Sequence, residues 1–129
     1  AGPDSRSRRA PIAAQANATD AELIAAGDMW SRALQTFVAR GGVVVLFDGG
    51  GANAGTYQIA QEAGLFTATM RMPLTPRTVN IEASADAVAS FVPAVYQAQN
   101  VTVGFDTMDG TVVVRDRMSG LPIVIHIAR

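Results

Sequence analysis

Residues 37–56 read FVARGGVVVLFDGGGANAGT, and the fold class turns on how this stretch is taken. VVVLF (43–47) is a short, wholly apolar run rich in β-branched residues, the pattern of a strand covered on both faces. Asp48 to Thr56 is a glycine-rich turn, and TYQIAQEAG (56–64) reads as a short helix closed by Gly64. Upstream, Thr19 and Glu22 have the T-x-x-E form of a capping box. Leu23, Gly27, Trp30, Leu34 and Phe37/Val38 then recur at helical spacing, and Gly41-Gly42 supplies a stop. This spacing predicts an amphipathic helix over 20–40, with Trp30 as an anchor of its buried face. Helix, buried strand, glycine turn, helix is the order of α/β proteins with a parallel sheet.

Downstream, LFTATMRM (65–72) and TVNIEA (78–83) read as strands separated by Pro73 and Pro76. Ser84 is placed to cap a helix over 85–98, kinked or split by Pro93. VTVGFDTM (101–108) and TVVVRDR (111–117) flank Asp109-Gly110, a two-residue hairpin signal. PIVIHIAR (122–129) is the final strand, with Ile123, Ile125 and Ile127 on one face and His126 on the other. The expected fold is an α/β sandwich with a partly parallel central sheet, a long N-terminal amphipathic helix, and a C-terminal antiparallel hairpin plus final strand. Residues 1–18, with Arg6, Arg8 and Arg9, form a flexible or partner-contacting arm ahead of a single domain over 19–129.

Composition narrows the chemistry. In 129 residues there is no Cys and no Lys, one His and three Glu, and the net charge is −1. Thiolate nucleophiles, Schiff bases and Cys-ligated metals are excluded, and no cofactor or metal is expected. The near-neutral charge gives no electrostatic pull on nucleic acid. No apolar run reaches the roughly 18–20 residues of a membrane span. Localisation stays open.

One segment has the grammar of a site. Backbone N–H groups of Gly49, Gly50, Gly51 and Asn53, at a strand-to-helix turn, suit an anion. Gly49-x-Gly51-x-x-Ala54 fits the dinucleotide fingerprint, yet no Asp or Glu lies between Glu62 and Glu82 to hold a ribose. Gly50-x4-Gly55 followed by Thr56 lacks a P-loop lysine, and Gly51-Ala52-Asn53-Ala54-Gly55 puts Asn where a nucleophile elbow needs Ser. The turn is either a ligand site or a tight structural turn. His126 is the one side chain whose ordinary pKa is near neutrality. It is either a base working with Asp48 or an ordinary strand histidine. Asp106 and Asp109 read as solvated turn acids, and Arg71 and Arg77, flanking a proline-rich loop, are either contacts for an acidic ligand or ordinary surface arginines.

FVARGGVVVLFDGGG (37–51), QEAGLF (61–66) and GLPIVIHIAR (120–129) resemble the flavodoxin-like class I glutamine amidotransferase and ThuA-like superfamily. The resemblance implies a parallel sheet, with Asp48 where that family has its nucleophilic Cys, Gly49 and Gly50 as the oxyanion turn, and His126 in the place of the catalytic His. The family's Pro-Glu after that His is replaced by Ile127-Ala128. Without the thiol, the resemblance implies a non-catalytic domain that binds a small ligand or a partner chain at the glycine turn. The chain would then be the C-terminal part of a larger domain. The alternatives are a hydrolase or transferase using Asp48 and His126, and an assembly subunit. Homo-oligomers or partner chains would join through the arm or a sheet edge.

Overall fold

The computed structural model describes residues 18–49, 55–99 and 101–129. Helix α1 runs Asp20–Ala39, and its capping box forms as the sequence predicts: Glu22 N–H donates to Thr19 Oγ1, and Thr19 N–H donates to Glu22 Oε2. The helix closes where Gly41 N–H donates to the Val38 carbonyl and Gly42 N–H to that of Phe37. Its inward stripe is Leu23, Gly27, Leu34 and Val38. Trp30 and Phe37 are exposed, contrary to the expected anchor role of Trp30. The reason is length. Helix α2 (Tyr57–Glu62), which packs on α1, spans about 9 Å against about 30 Å for α1 and covers only a narrow strip. Gly27 marks the crossing: a Cβ there would lie 2.7 Å from Glu62 Cβ and 2.9 Å from the Ile59 carbonyl oxygen.

Six strands follow: β1 Met70–Leu74, β2 Arg77–Ile81, β3 Val95–Ala98, β4 Thr102–Asp106, β5 Thr111–Asp116 and β6 Pro122–His126. Among the described residues they form two sheets, β1-β4 and β3-β2-β5-β6, and every pairing is antiparallel. The expected partly parallel sandwich is therefore corrected to one long helix beside two antiparallel sheets. A parallel pair needs a strand on each side of a crossover helix. Here Val43–Phe47, the run read as that first strand, joins no sheet.

Two further expectations are overturned. Residues 85–98 make one 3-10 turn, Ala87–Ala89, and then β3, because Pro93 has no N–H to continue a helix and biases Val92 away from helical geometry. The β-prone Val95 and Tyr96 pair instead with Asn80 and Val79 of β2. The strands flanking Asp109-Gly110 are present, but they do not pair with each other. β4 takes β1 as partner, while β5 lies between β2 and β6. The Asp109 side chain accepts from Thr67 N–H at 2.7 Å, and Thr107 Oγ1 donates to the Thr67 carbonyl at 2.5 Å. These bonds tie the corner to the segment before β1, so the chain crosses between sheets there instead of folding back. Thr75-Pro76 makes a second such corner between β1 and β2.

Two apolar clusters result. One joins α2 to the β1-β4 sheet through Ala60, Ala63, Leu65, Phe66, Val103 and Phe105, with the rings of Tyr57, Phe66 and Phe105 edge-on or tilted at 5.5–6.4 Å. The other gathers Val79, Ala89, Val113 and Val114 on the larger sheet. Strand β6 and its extension serve both, Ile123 and Val124 in the second and Ile125 and Ile127 in the first.

Candidate functional site

Between α1 and the glycine turn, Val43–Phe47 crosses the surface without a sheet partner. All five side chains are exposed, Val43 to 79%, Val45 to 67% and Phe47 to 86%. Among the described residues, the backbone groups of Val43 to Leu46 make no hydrogen bond. Four apolar residues with unpaired N–H and C=O groups, followed by Phe47, have the properties of an uncovered edge strand.

The segment ends on a rigid anchor. Asp48 Oδ2 accepts from Arg71 Nε at 2.7 Å, and Asp48 Oδ1 accepts from Arg71 Nη2 at 3.4 Å and from Thr56 N–H at 3.1 Å. Both side chains of the ion pair are buried, at 5% and 8% exposure. Arg71 Nη2 also donates to the Gly49 carbonyl, and Thr56 Oγ1 donates to the Phe47 carbonyl at 2.6 Å. Arg71, on β1, thus holds the chain entering the turn with a planar fork suited to a carboxylate, and Asp48 and the Phe47 carbonyl tie that flank to Thr56 on the other. Gly55 is required beneath it. Its φ is +85°, and a Cβ would come within 2.6 Å of Arg71 Nε while overlapping Asp48 Oδ1. Both oxygens of Asp48 are occupied by donors, which makes this carboxylate a clasp on the chain.

His126 sits at the exposed end of β6, with Nδ1 2.7 Å from Asp86 Oδ2. Asp86 also accepts from Val88 N–H and so caps the 3-10 turn. The His126 hydrogen bond, and then that of Val88, hold the Asp86 carboxyl below its usual range against a small opposing effect of burial. Asp48 and His126 are thus each engaged by a different charged residue. Gly49 is described, with its carbonyl on Arg71; Gly50, Gly51 and Asn53 lie outside the described residues, as does the arm over 1–17. Asp106 and Asp109 are not purely solvated: they accept from Thr69 Oγ1 and Thr67 N–H. Among the described residues no cluster of His, Cys, Asp or Glu is grouped to hold a metal, and no helix is long and apolar enough to cross a membrane.

No family model, curated protein or solved structure matches this chain. No likeness to the amidotransferase superfamily is therefore shown, and among the described residues the parallel sheet that it implies is not formed. Arg71, expected as a surface arginine, is instead buried against Asp48, and Asp86, the partner of His126, carries no signal in the sequence. Neither pair has a local signal, since 23 residues separate Asp48 from Arg71 and 40 separate Asp86 from His126.

Proposed function

We propose that this chain is a non-catalytic assembly module that pairs with a second copy of itself through Val43–Phe47. The observation that carries this reading is an exposed, β-prone run without a sheet partner, held at its end by the buried Asp48–Arg71 clasp. Docking such a segment costs less ordering entropy than docking a free tail. The run contains no charge, and a net charge of −1 per chain leaves little repulsion between copies. Antiparallel pairing about a two-fold axis at Val45 would set Val43 opposite Phe47 and Val44 opposite Leu46, a self-complementary arrangement. In this reading Asp48 serves as an anchor, and Gly55 leaves the space in which the clasp closes.

The two-fold axis makes the test sharp, because a charge placed at Val45 meets its own copy. Light scattering should give the wild-type chain twice the 13.4 kDa monomer mass. Val45→Lys and Val45→Asp, each alone, should be monomers, and mixing them in equal amounts should restore a dimer. A wild-type monomer at every concentration overturns the proposal. So do variants that stay dimeric, or a mixture that fails to associate.

A further inference from the structure

A cleft of about 420 Å³ opens between Pro76, Arg77, Thr78, Gln97, Arg117 and Met118. Strands β2 and β3 and the chain leaving β5 build it, with Arg117 N–H donating to the Thr78 carbonyl at 3.1 Å. Its volume falls in the range of small-molecule sites. Its polar groups are arranged as donors. Thr78 Oγ1 donates to Gln97 Oε1 at 2.9 Å, which occupies the acceptor of that amide and leaves both Nε2 hydrogens available. Among the described residues, the Arg117 side chain makes no hydrogen bond or ion pair.

Arg77 is only loosely engaged. Its Nη1 lies 3.6 Å from Asp116 Oδ2, beyond hydrogen-bond length, and its Nε is buried without a partner. Asp116 Oδ2 accepts from Ser119 N–H at 2.7 Å and Ser119 Oγ–H at 2.5 Å, while its Oδ1 is buried without a hydrogen-bond partner. Arg77 therefore faces a buried carboxylate at a distance, and the Arg117 guanidinium has no carboxylate partner among the described residues.

We infer that this cleft binds a small organic anion, its carboxylate or phosphate held between Arg77, Arg117 and the Gln97 amide, with Pro76 and Met118 against its apolar part. Planar guanidinium forks match either oxyanion. The test is titration of the labelled chain with acetate and with inorganic phosphate at constant ionic strength, read by NMR at the Arg Nε–H and Gln97 side-chain amide signals. Saturable shifts at Arg77, Arg117 and Gln97 are expected, and the tighter of the two probes identifies the oxyanion. Arg117→Gln should weaken that binding about tenfold, equivalent to about 1.4 kcal/mol, with the remaining backbone spectrum unchanged. Gln97→Leu should weaken it as well. Shifts that rise linearly with concentration for both probes, or that are equal in wild type and Arg117→Gln, overturn the inference.

Discussion

Phe91 has φ of +66°, left-handed where no other described non-glycine residue is, and its ring is fully in solvent. That backbone region costs an L side chain about 1–2 kcal/mol, and here no packing offsets it. Phe91→Gly should therefore stabilise the fold by about 0.5–1 kcal/mol, with a rise in Tm of roughly 2–5 °C in thermal unfolding. A fall in Tm instead means that the ring is packed in solution. Asp116 is the opposite case, a carboxylate with no exposure. Burial alone pushes its pKa up, but the Ser119 hydroxyl and N–H, the Met118 N–H and the Arg77 charge outweigh burial and hold it below the usual carboxylate value. Asp116→Ala removes the acceptor that organises the 116–120 turn and strands a guanidinium, at a cost of about 2–4 kcal/mol by denaturant unfolding. The sign with pH follows from the depressed folded-state values of Asp116 and Asp86. Their stabilisation is present above the unfolded carboxylate value near ~4 and is lost as pH falls through the lower folded values. Unfolding free energy should decline below about pH 4, and the decline should be shallower in Asp116→Asn. An acid limb unchanged in that variant excludes Asp116 as a contributor.

Elements were legible where local chemistry alone decides them. Helix α1 follows from its capping box and its 3.6-residue stripe, and α2 from a short pattern closed by Gly64. Within α1, Gly27 lies on the predicted buried face, but only the packed structure explains why no side chain stands there. Alanine at an exposed helix position gains about 1 kcal/mol over glycine. At Gly27 the added methyl meets the Ile59 backbone oxygen and Glu62 Cβ. Gly27→Ala should thus destabilise by about 1–2 kcal/mol in denaturant unfolding, the cost of forcing α1 and α2 apart. A stabilised variant would mean that the two helices can separate freely. Residues 85–98 were misread as a helix because Ala87, Val88, Phe91 and Val95 satisfy a helical period by themselves. Pro93 breaks the hydrogen-bond ladder, and β2 offers Val95–Ala98 an edge that no local pattern announces.

Across the whole molecule, the arrangement of strands was the part least legible. Apolar alternation marks a strand without naming its neighbour, and Asp109-Gly110 marks a reversal without fixing which sheet each arm joins. The corners at Thr75-Pro76 and Asp109-Gly110 both pass the chain from one sheet to the other, and the second is set by bonds to Thr67, some 40 residues away. The same holds for the candidate site. Asp48, His126 and the glycine turn stood out as residue types, while Arg71 and Asp86, which fix their geometry, did not. Val43–Phe47 reads as a buried strand because its composition reports only an affinity for burial; the fold leaves that affinity unmet, and assembly is the proposed means of meeting it. By itself the sequence determined the two helices, the β-rich second half and the absence of thiol and amine chemistry, because these follow from period, capping and composition. The tertiary structure alone decided the antiparallel pairings, the Asp48–Arg71 clasp and the Arg77–Arg117 cleft, because each joins residues far apart in the chain whose approach depends on which surfaces the rest of the fold has already covered.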